Sequence, residues 1–275
     1  MFACELRSFK DLKIAGQRRQ HILARLQAGH EDVEALSLGL GVSASTIRRD
    51  LARLEAEGRL LRTYGGAAVP ERSIQARTND SPREKRAIAR LAAQLVQQGE
   101  TLLLDAGTTT GALAAELATR EGLHVITNGL TVMTALARAP GVELTILGGH
   151  MRRISLGTVG PATEQALRRL TVDRVFLGCD GVVAGRGICE ATSAQAALKE
   201  LMIAQARQVY VLADADKLGR AAANNWALLP ADWTLITDTR ATPEQLAPFR
   251  ARADVKLLVA GDYQNVPETE NEPNS

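Results

Sequence analysis

The chain has 275 residues, of which 45% are hydrophobic and 23% charged, with a formal net charge of +2. That is material for one to two domains with a sizeable core and an ordinary composition for a globular chain, and no apolar run approaches the ~18 residues of a membrane span. The three cysteines (Cys4, Cys179 and Cys189) form no CxxC pair and have no neighbouring histidine pair at metal spacing. They support neither a disulfide framework nor a zinc site, and they predict a reducing, cytoplasmic setting with no metal and no cofactor.

The opening MFACELRSFKDLK mixes acids with bases and has no long apolar stretch, so no signal peptide is expected. Residues 1–72 hold twelve Lys and Arg against nine Asp and Glu, a slight basic excess. Residues 17–28 predict a first helix with Ile22, Leu23 and Leu26 on one face, and residues 31–38 a second that buries Val33 and Leu36. Gly39-Leu40-Gly41-Val42 then predicts a tight turn, because glycine tolerates positive φ. Ser43 is a good cap for a third helix, SASTIRRDLARLEAEG, which buries Ile47, Leu51 and Leu54 and stops at Gly58.

The other face of the third helix carries Ser45, Thr46, Arg48, Arg49 and Arg53. Two helices joined by a short glycine-containing turn, the second polar and basic, form the helix-turn-helix pattern. Arginine can fork onto a guanine edge or neutralise a phosphate, and hydroxyls near a helix start reach phosphates or bases. RLLRTYGGAAV predicts two short strands around a turn, a wing that offers Arg62 and Tyr64 to the DNA backbone or minor groove. With Ser43 these side chains are the candidate contacts to double-stranded operator DNA. Taken alone, the third helix also fits a solvated amphipathic surface. The preceding helix, the turn, the cap and the wing favour DNA. A helix-turn-helix that makes only protein contacts is a further alternative.

The predicted organisation is a winged helix-turn-helix at 16–70, a polar linker at 71–83, an α/β domain at 84–262 and a disordered tail at 263–275. In the third zone apolar runs recur at 101–105, 124–127, 142–149, 172–180, 208–214, 233–238 and 255–260. Helix-period segments separate most of them, and Ala87, Ile88, Leu91, Ala92, Leu95 and Val96 form one such stripe. Continuous apolar strands alternating with helices predict a mainly parallel sheet covered on both faces.

Asp105-Ala106-Gly107-Thr108-Thr109-Thr110-Gly111 follows the first of these strands and opens a helix. Free backbone N–H groups, hydroxyls and the positive end of a helix dipole make such a loop a phosphate cradle, though a Thr-rich capping loop reads the same way. Other strands end in Asn128-Gly129, in Gly148-Gly149 with Arg152 close behind, in Asp180-Gly181, and in Asp214 through Lys217. Ligands in open α/β sheets bind beyond the carboxyl ends of the strands, so these turns are expected to converge on one pocket. Arg152 and Lys217 are the expected phosphate partners, and Lys199 is either a pocket residue or solvated. His124, His150, Trp226 and Trp233 read as structural.

The run VSASTIRRDLARLEAEGRLLRTYGGA resembles the signature of the DeoR family of bacterial repressors, through Val42-Ser43, Thr46 to Leu51, Leu54-Glu55, Gly58 and Gly65-Gly66-Ala67. Tyr64 stands where that family often has histidine. LDAGTTT, VITNGL, ILGG, VGP, FLGCDGV and LADADKLG resemble the family's effector domain, which implies the fold of ribose-5-phosphate isomerase. The resemblance implies a homo-oligomeric repressor of a carbohydrate catabolic operon, controlled by a phosphorylated sugar. It also admits a sugar-phosphate isomerase fused to a DNA module. Isomerases need a second acid after their Asp-Gly pair, and here Val182-Val183 follows Asp180-Gly181. Family members usually carry acids ahead of Lys199, where this chain reads Ser193-Ala194-Gln195-Ala196-Ala197.

Overall fold

The computed structural model describes residues 15–28, 32–56, 60–63, 66–68 and 74–261. The N-terminal part consists of α1 (Ala15–Ala28), α2 (Val33–Leu40), α3 (Ala44–Ala56) and the antiparallel pair β1 (Leu61–Thr63) and β2 (Gly66–Ala68). Ile22 and Leu26, Leu36 and Leu40, and Ile47, Leu51 and Leu54 meet in one small core. Asp32 caps α2 by accepting from the Ala35 N–H at 2.7 Å. The expected four-residue turn is shorter than predicted, because Gly39 and Leu40 continue α2 and only Gly41 takes a positive φ, 63°. Gly41 closes the helix in the left-handed conformation that glycine adopts without strain. Gly58, Tyr64 and the tail expected at 263–275 lie outside the described residues.

The segment read as a polar linker is folded from Ile74 onward. It forms α4 (Ile74–Thr78), and α5 (Pro82–Gln94) begins at its final residues with proline in the first turn. Periodicity could not show a five-residue helix that is one turn long. It is held by tertiary contacts: Ile74 is buried, and its N–H donates to the Ile154 carbonyl at 2.8 Å.

The remaining elements are β3 (Thr101–Leu104), α6 (Thr108–Leu117), β4 (Leu123–Thr127), α7 (Leu130–Leu136), β5 (Val142–Ile146), β6 (His150–Arg152), β7 (Gly157–Val159), α8 (Pro161–Leu167), β8 (Val172–Leu177), β9 (Gly181–Val183), β10 (Gly187–Glu190), α9 (Ser193–Ala204), β11 (Ala206–Leu212), β12 (Asn225–Ala227), β13 (Trp233–Asp238), α10 (Pro243–Arg250) and β14 (Val255–Ala260). The seven apolar runs became one parallel sheet of seven strands, ordered β14-β13-β11-β8-β3-β4-β5. Because side chains alternate along a strand, Leu103, Val175, Val211 and Leu235 pack under α8, α9 and α10. Their neighbours Leu102, Leu104, Phe176, Leu212 and Ile236 pack under α5, α6 and α7. Each such fully buried side chain contributes about 1.5–3 kcal/mol.

Strand order reverses between β3 and β8. From β3 the chain steps outward through β4 and β5, then returns to the other side of β3 as β8. At such a switch point the following loops part in opposite directions and leave a crevice at the carboxyl ends of the strands. Two smaller sheets, β12-β10-β9 and β6-β7, lie outside the parallel sheet.

Candidate functional site

On α3 the apolar positions turn inward, and Ser45, Arg48, Arg49 and Arg53 are exposed. The Ser43 hydroxyl is taken up locally: it accepts from the Thr46 N–H at 3.2 Å and lies 2.9 Å from the hydroxyls of Ser45 and Thr46. Its geometry is that of a cap. Arg48 makes a 3.4 Å ion pair with Glu34 of α2, exposed on both sides, of a kind that water and salt weaken. Arg62 lies on β1 of the wing, and Tyr64 lies outside the described residues. Sequence reasoning missed Asp50, which is buried in α3 and held by Arg18 of α1 at 2.5 Å and by Arg19 at 3.6 Å. These two ion pairs tie α3 to α1.

A cavity of about 770 Å³ opens at the switch point. Asp105, Ala106, Gly107, Thr108 and Thr109 after β3, Asn128 after β4, Gly178, Cys179 and Asp180 after β8, and Asp214, Asp216 and Lys217 after β11 all line it. The expected convergence of Asp105, Gly107, Thr108, Thr109, Asn128, Asp180, Lys199 and Lys217 is therefore what the fold produces. Gly107 precedes the first turn of α6 with no side chain capping it, so that turn's N–H groups face the cavity loop. The Thr109 hydroxyl is buried and has no partner among the described residues. Asn128 ties the loops together: its Oδ1 accepts from the Ala106 N–H at 3.0 Å and its Nδ2 donates to the Thr158 carbonyl at 3.0 Å.

Five expected effector residues do not line the cavity. Thr110 is fully buried beneath the α6 turn, next to where a side chain on Gly107 would stand. The Gly148 carbonyl accepts from the Thr163 hydroxyl at 2.6 Å, so Gly148 and Gly149 shape the corner between β5 and β6. At Gly181 a Cβ would meet the Arg220 carbonyl at 2.1 Å; glycine there lets the 220–225 segment close over β9 and form a cavity wall. Arg152 lies at the end of β6, where burial lowers its pKa while Asp180 and Glu190 act on its charge.

At the base of the cavity Lys199 is buried and faces three oxygen atoms. Its Nζ donates to the Gly178 carbonyl at 2.6 Å, lies 3.0 Å from Asp105 and pairs with Glu190. Glu190 was not foreseen. It sits at the end of β10, in a short sheet whose hairpin signal, Gly181-Val-Val-Ala-Gly-Arg-Gly187, was legible in the chain. Burial pushes the Glu190 carboxyl up to about 7 against the pull of Lys199, and the charges of Asp180 and Asp105 add to the rise. Burial also works against the charge on Lys199, but Asp105 and Glu190 outweigh it and raise its pKa. One ammonium thus faces two carboxylates. The lysine stays charged, and Glu190 takes up a proton near neutral pH.

Burial, and then the nearby Lys217, bring Lys85 down to about 8. Lys85 donates to the carbonyls of Arg77 and Asp80, and all three residues line the cavity. Burial holds the Cys179 thiol up at about 12, so it is no nucleophile at neutral pH. His124 bonds the Thr145 hydroxyl at 2.8 Å, Trp233 packs edge-on against Phe249, and Arg186 stacks on Trp226 at 3.9 Å. Among the described residues no helix is long and apolar enough to cross a membrane.

Residues 18–73 match the DeoR-like helix-turn-helix domain and residues 80–239 the DeoR C terminal sensor domain. A putative aga operon transcriptional repressor of Escherichia coli O157:H7 is 34% identical over 90% of this chain and 94% of its own length. The glycerol-3-phosphate regulon repressor of Escherichia coli K12 is 32% identical over 77% of this chain and 86% of its own. A solved D-ribose-5-phosphate isomerase is 14% identical with a TM-score of 0.38, covering 50% of this chain and 53% of its own, too slight a likeness to carry an argument. The chain belongs to the DeoR family and is a DNA-binding transcriptional regulator, not an enzyme of sugar-phosphate isomerisation.

Proposed function

We propose that the cavity binds a phosphorylated sugar or a close relative of one, and that its occupancy lowers operator affinity in a homo-oligomeric repressor of a carbohydrate catabolic operon. The observation that carries this reading is the uncapped first turn of α6, which opens onto the cavity beside the unpartnered Thr109 hydroxyl. Backbone N–H groups, hydroxyls and the helix dipole favour a phosphate there, with Lys217, which lines the cavity 3.7 Å from Asp214, as the cation. Asp105, Asp180 and Glu190 supply carboxylate acceptors for hydroxyl groups. The printed names of two relatives, for the aga operon and for a glycerol-3-phosphate regulon, support the same class.

A thermal-shift screen of phosphorylated and unphosphorylated sugars tests the proposal. A ligand that binds only the folded state stabilises it by about 2.7 kcal/mol at a hundredfold excess over Kd. Stabilisation by phosphorylated compounds alone is expected; equal stabilisation by the unphosphorylated sugars overturns the phosphate assignment. Thr109→Ala and Lys217→Ala should each need at least about tenfold more effector for operator release, each referred to its own operator affinity. Normal release in both variants contradicts the pocket assignment.

At the other end, Arg48→Ala and Arg49→Ala should each weaken operator binding by about 1–3 kcal/mol. Mobility shifts at fixed salt measure the loss, and unchanged shifts in both variants overturn α3 as the reading helix. Operator sites in two spaced half-sites are expected for a dimer.

A further inference from the structure

The connector that leads from the DNA-binding helices into the sensor forms one wall of the cavity, through Arg77, Asn79, Asp80 and Ser81. It is anchored on both sides of Arg77. Upstream, the Ile74 N–H bonds the Ile154 carbonyl. Downstream, the Ser81 hydroxyl bonds Asp216 at 3.3 Å and accepts from Arg240 at 3.0 Å. Between these anchors the Arg77 side chain has one partner among the described residues, Asp180, with Nη1 at 3.3 Å. Its Nε and Nη2 are shut off from solvent and have no acceptor among the described residues.

That arrangement is costly, because charged N–H donors removed from water need an acceptor. The unpartnered pair, Nε and Nη2, is the edge of a guanidinium that grips two oxygens of a phosphate or carboxylate side by side. Asp180 sits on the remaining nitrogen and does not compete for that edge. The cationic side chains of Lys85 and Lys217, whose charges already act on each other, line the same cavity.

We propose that Arg77 is an effector contact carried by the connector: an anionic group in the cavity draws the Nε and Nη2 edge onto itself, and the connector shifts with it. The proposal rests on the anionic effector argued above and extends it, making the segment that joins the two functions part of the binding site. Ligand occupancy then acts directly on the chain leading to the DNA-binding helices, with no relay through the sheet.

The test measures binding of inorganic phosphate, and of the strongest phosphorylated binder in the panel, to full-length wild type, Arg77→Lys, Arg77→Gln and Asp180→Asn. Lysine keeps the charge and the ion pair with Asp180 but lacks the two-donor edge. If Arg77 is a contact, both Arg77 variants bind phosphate at least tenfold more weakly, Asp180→Asn, whose carboxylate is assigned to sugar hydroxyls and not to phosphate, binds inorganic phosphate as well as wild type or better, and operator release by the phosphorylated binder is impaired in both Arg77 variants. If Arg77 only anchors the connector through Asp180, Arg77→Lys restores binding while Asp180→Asn loses as much as Arg77→Gln, and the proposal is overturned. The double variant Arg77→Gln/Asp180→Asn, in which two amides face each other, guards against misfolding and is expected to bind like Arg77→Gln. Wild-type-like binding in that double variant also overturns it. Absence of any shift in wild type removes the anionic effector itself, an outcome distinct from loss confined to the variants, and this contact falls with it.

Discussion

Lys199→Met should destabilise the sensor domain by about 3–5 kcal/mol at neutral pH, the largest loss expected from any single cavity substitution. The substitution preserves the length and apolar stem of the side chain but leaves Asp105 and Glu190 buried without their shared cation, and the Gly178 carbonyl without its donor. The cost comes from stranding the carboxylates, so it should shrink as pH falls and Glu190 takes up a proton. Both tryptophans of the chain, Trp226 and Trp233, lie in this domain, so urea unfolding followed by their fluorescence reports it without interference from the DNA-binding helices. A loss under about 1 kcal/mol, or one independent of pH between 5 and 8, would show that the lysine does not neutralise the acids.

Glu190→Gln should do the reverse, and only above a definite pH. The Glu190 carboxyl is held up at about 7 in the folded protein against an ordinary 4.5. Between those values the folded state binds a proton that the unfolded chain has released, so stability falls as pH rises through that window. At about 1.36 kcal/mol per unit the fall is on the order of 3 kcal/mol, complete above pH 7 and absent below 4.5. Glutamine imitates the protonated acid and escapes the penalty. The variant should match wild type near pH 4.5 and exceed it at pH 8; equal stability at pH 8 refutes the raised carboxyl. Combined with Lys199→Met, the same substitution should recover part of that variant's loss, because one stranded carboxylate is gone.

Both effects arise in a cluster that no window of the chain displays. Asp105, Glu190 and Lys199 follow β3, end β10 and sit within α9; the sequence marks Asp105 by its loop and leaves Lys199 open, but nothing along the chain joins either of them to Glu190. What the residues determined by themselves was local. Alternation and apolar runs marked all seven strands of the parallel sheet. Helical spacing of Ile47, Leu51 and Leu54 set which face of α3 turns inward and so which side chains it exposes. The Gly/Thr turn after β3 announced a helix N-terminus.

The tertiary structure decided which of the strand-end turns share a cavity. Strand order fixes that, and order depends on how all seven strands pack between two helical layers, an energy spread over the whole core. Thus Asp105, Asp180 and Lys217 met at the switch point, while Gly148 and Gly149, equally plausible as a turn, fell to a corner of β5. Periodicity is likewise silent about elements one turn long. The 74–81 segment looked like linker because it is short and polar; its shape comes from Ile154, Asp180 and Asp216, up to 135 residues away along the chain. The DNA-binding signature is legible because its helices pack on near neighbours, whereas the cavity depends on contacts between residues far apart in sequence.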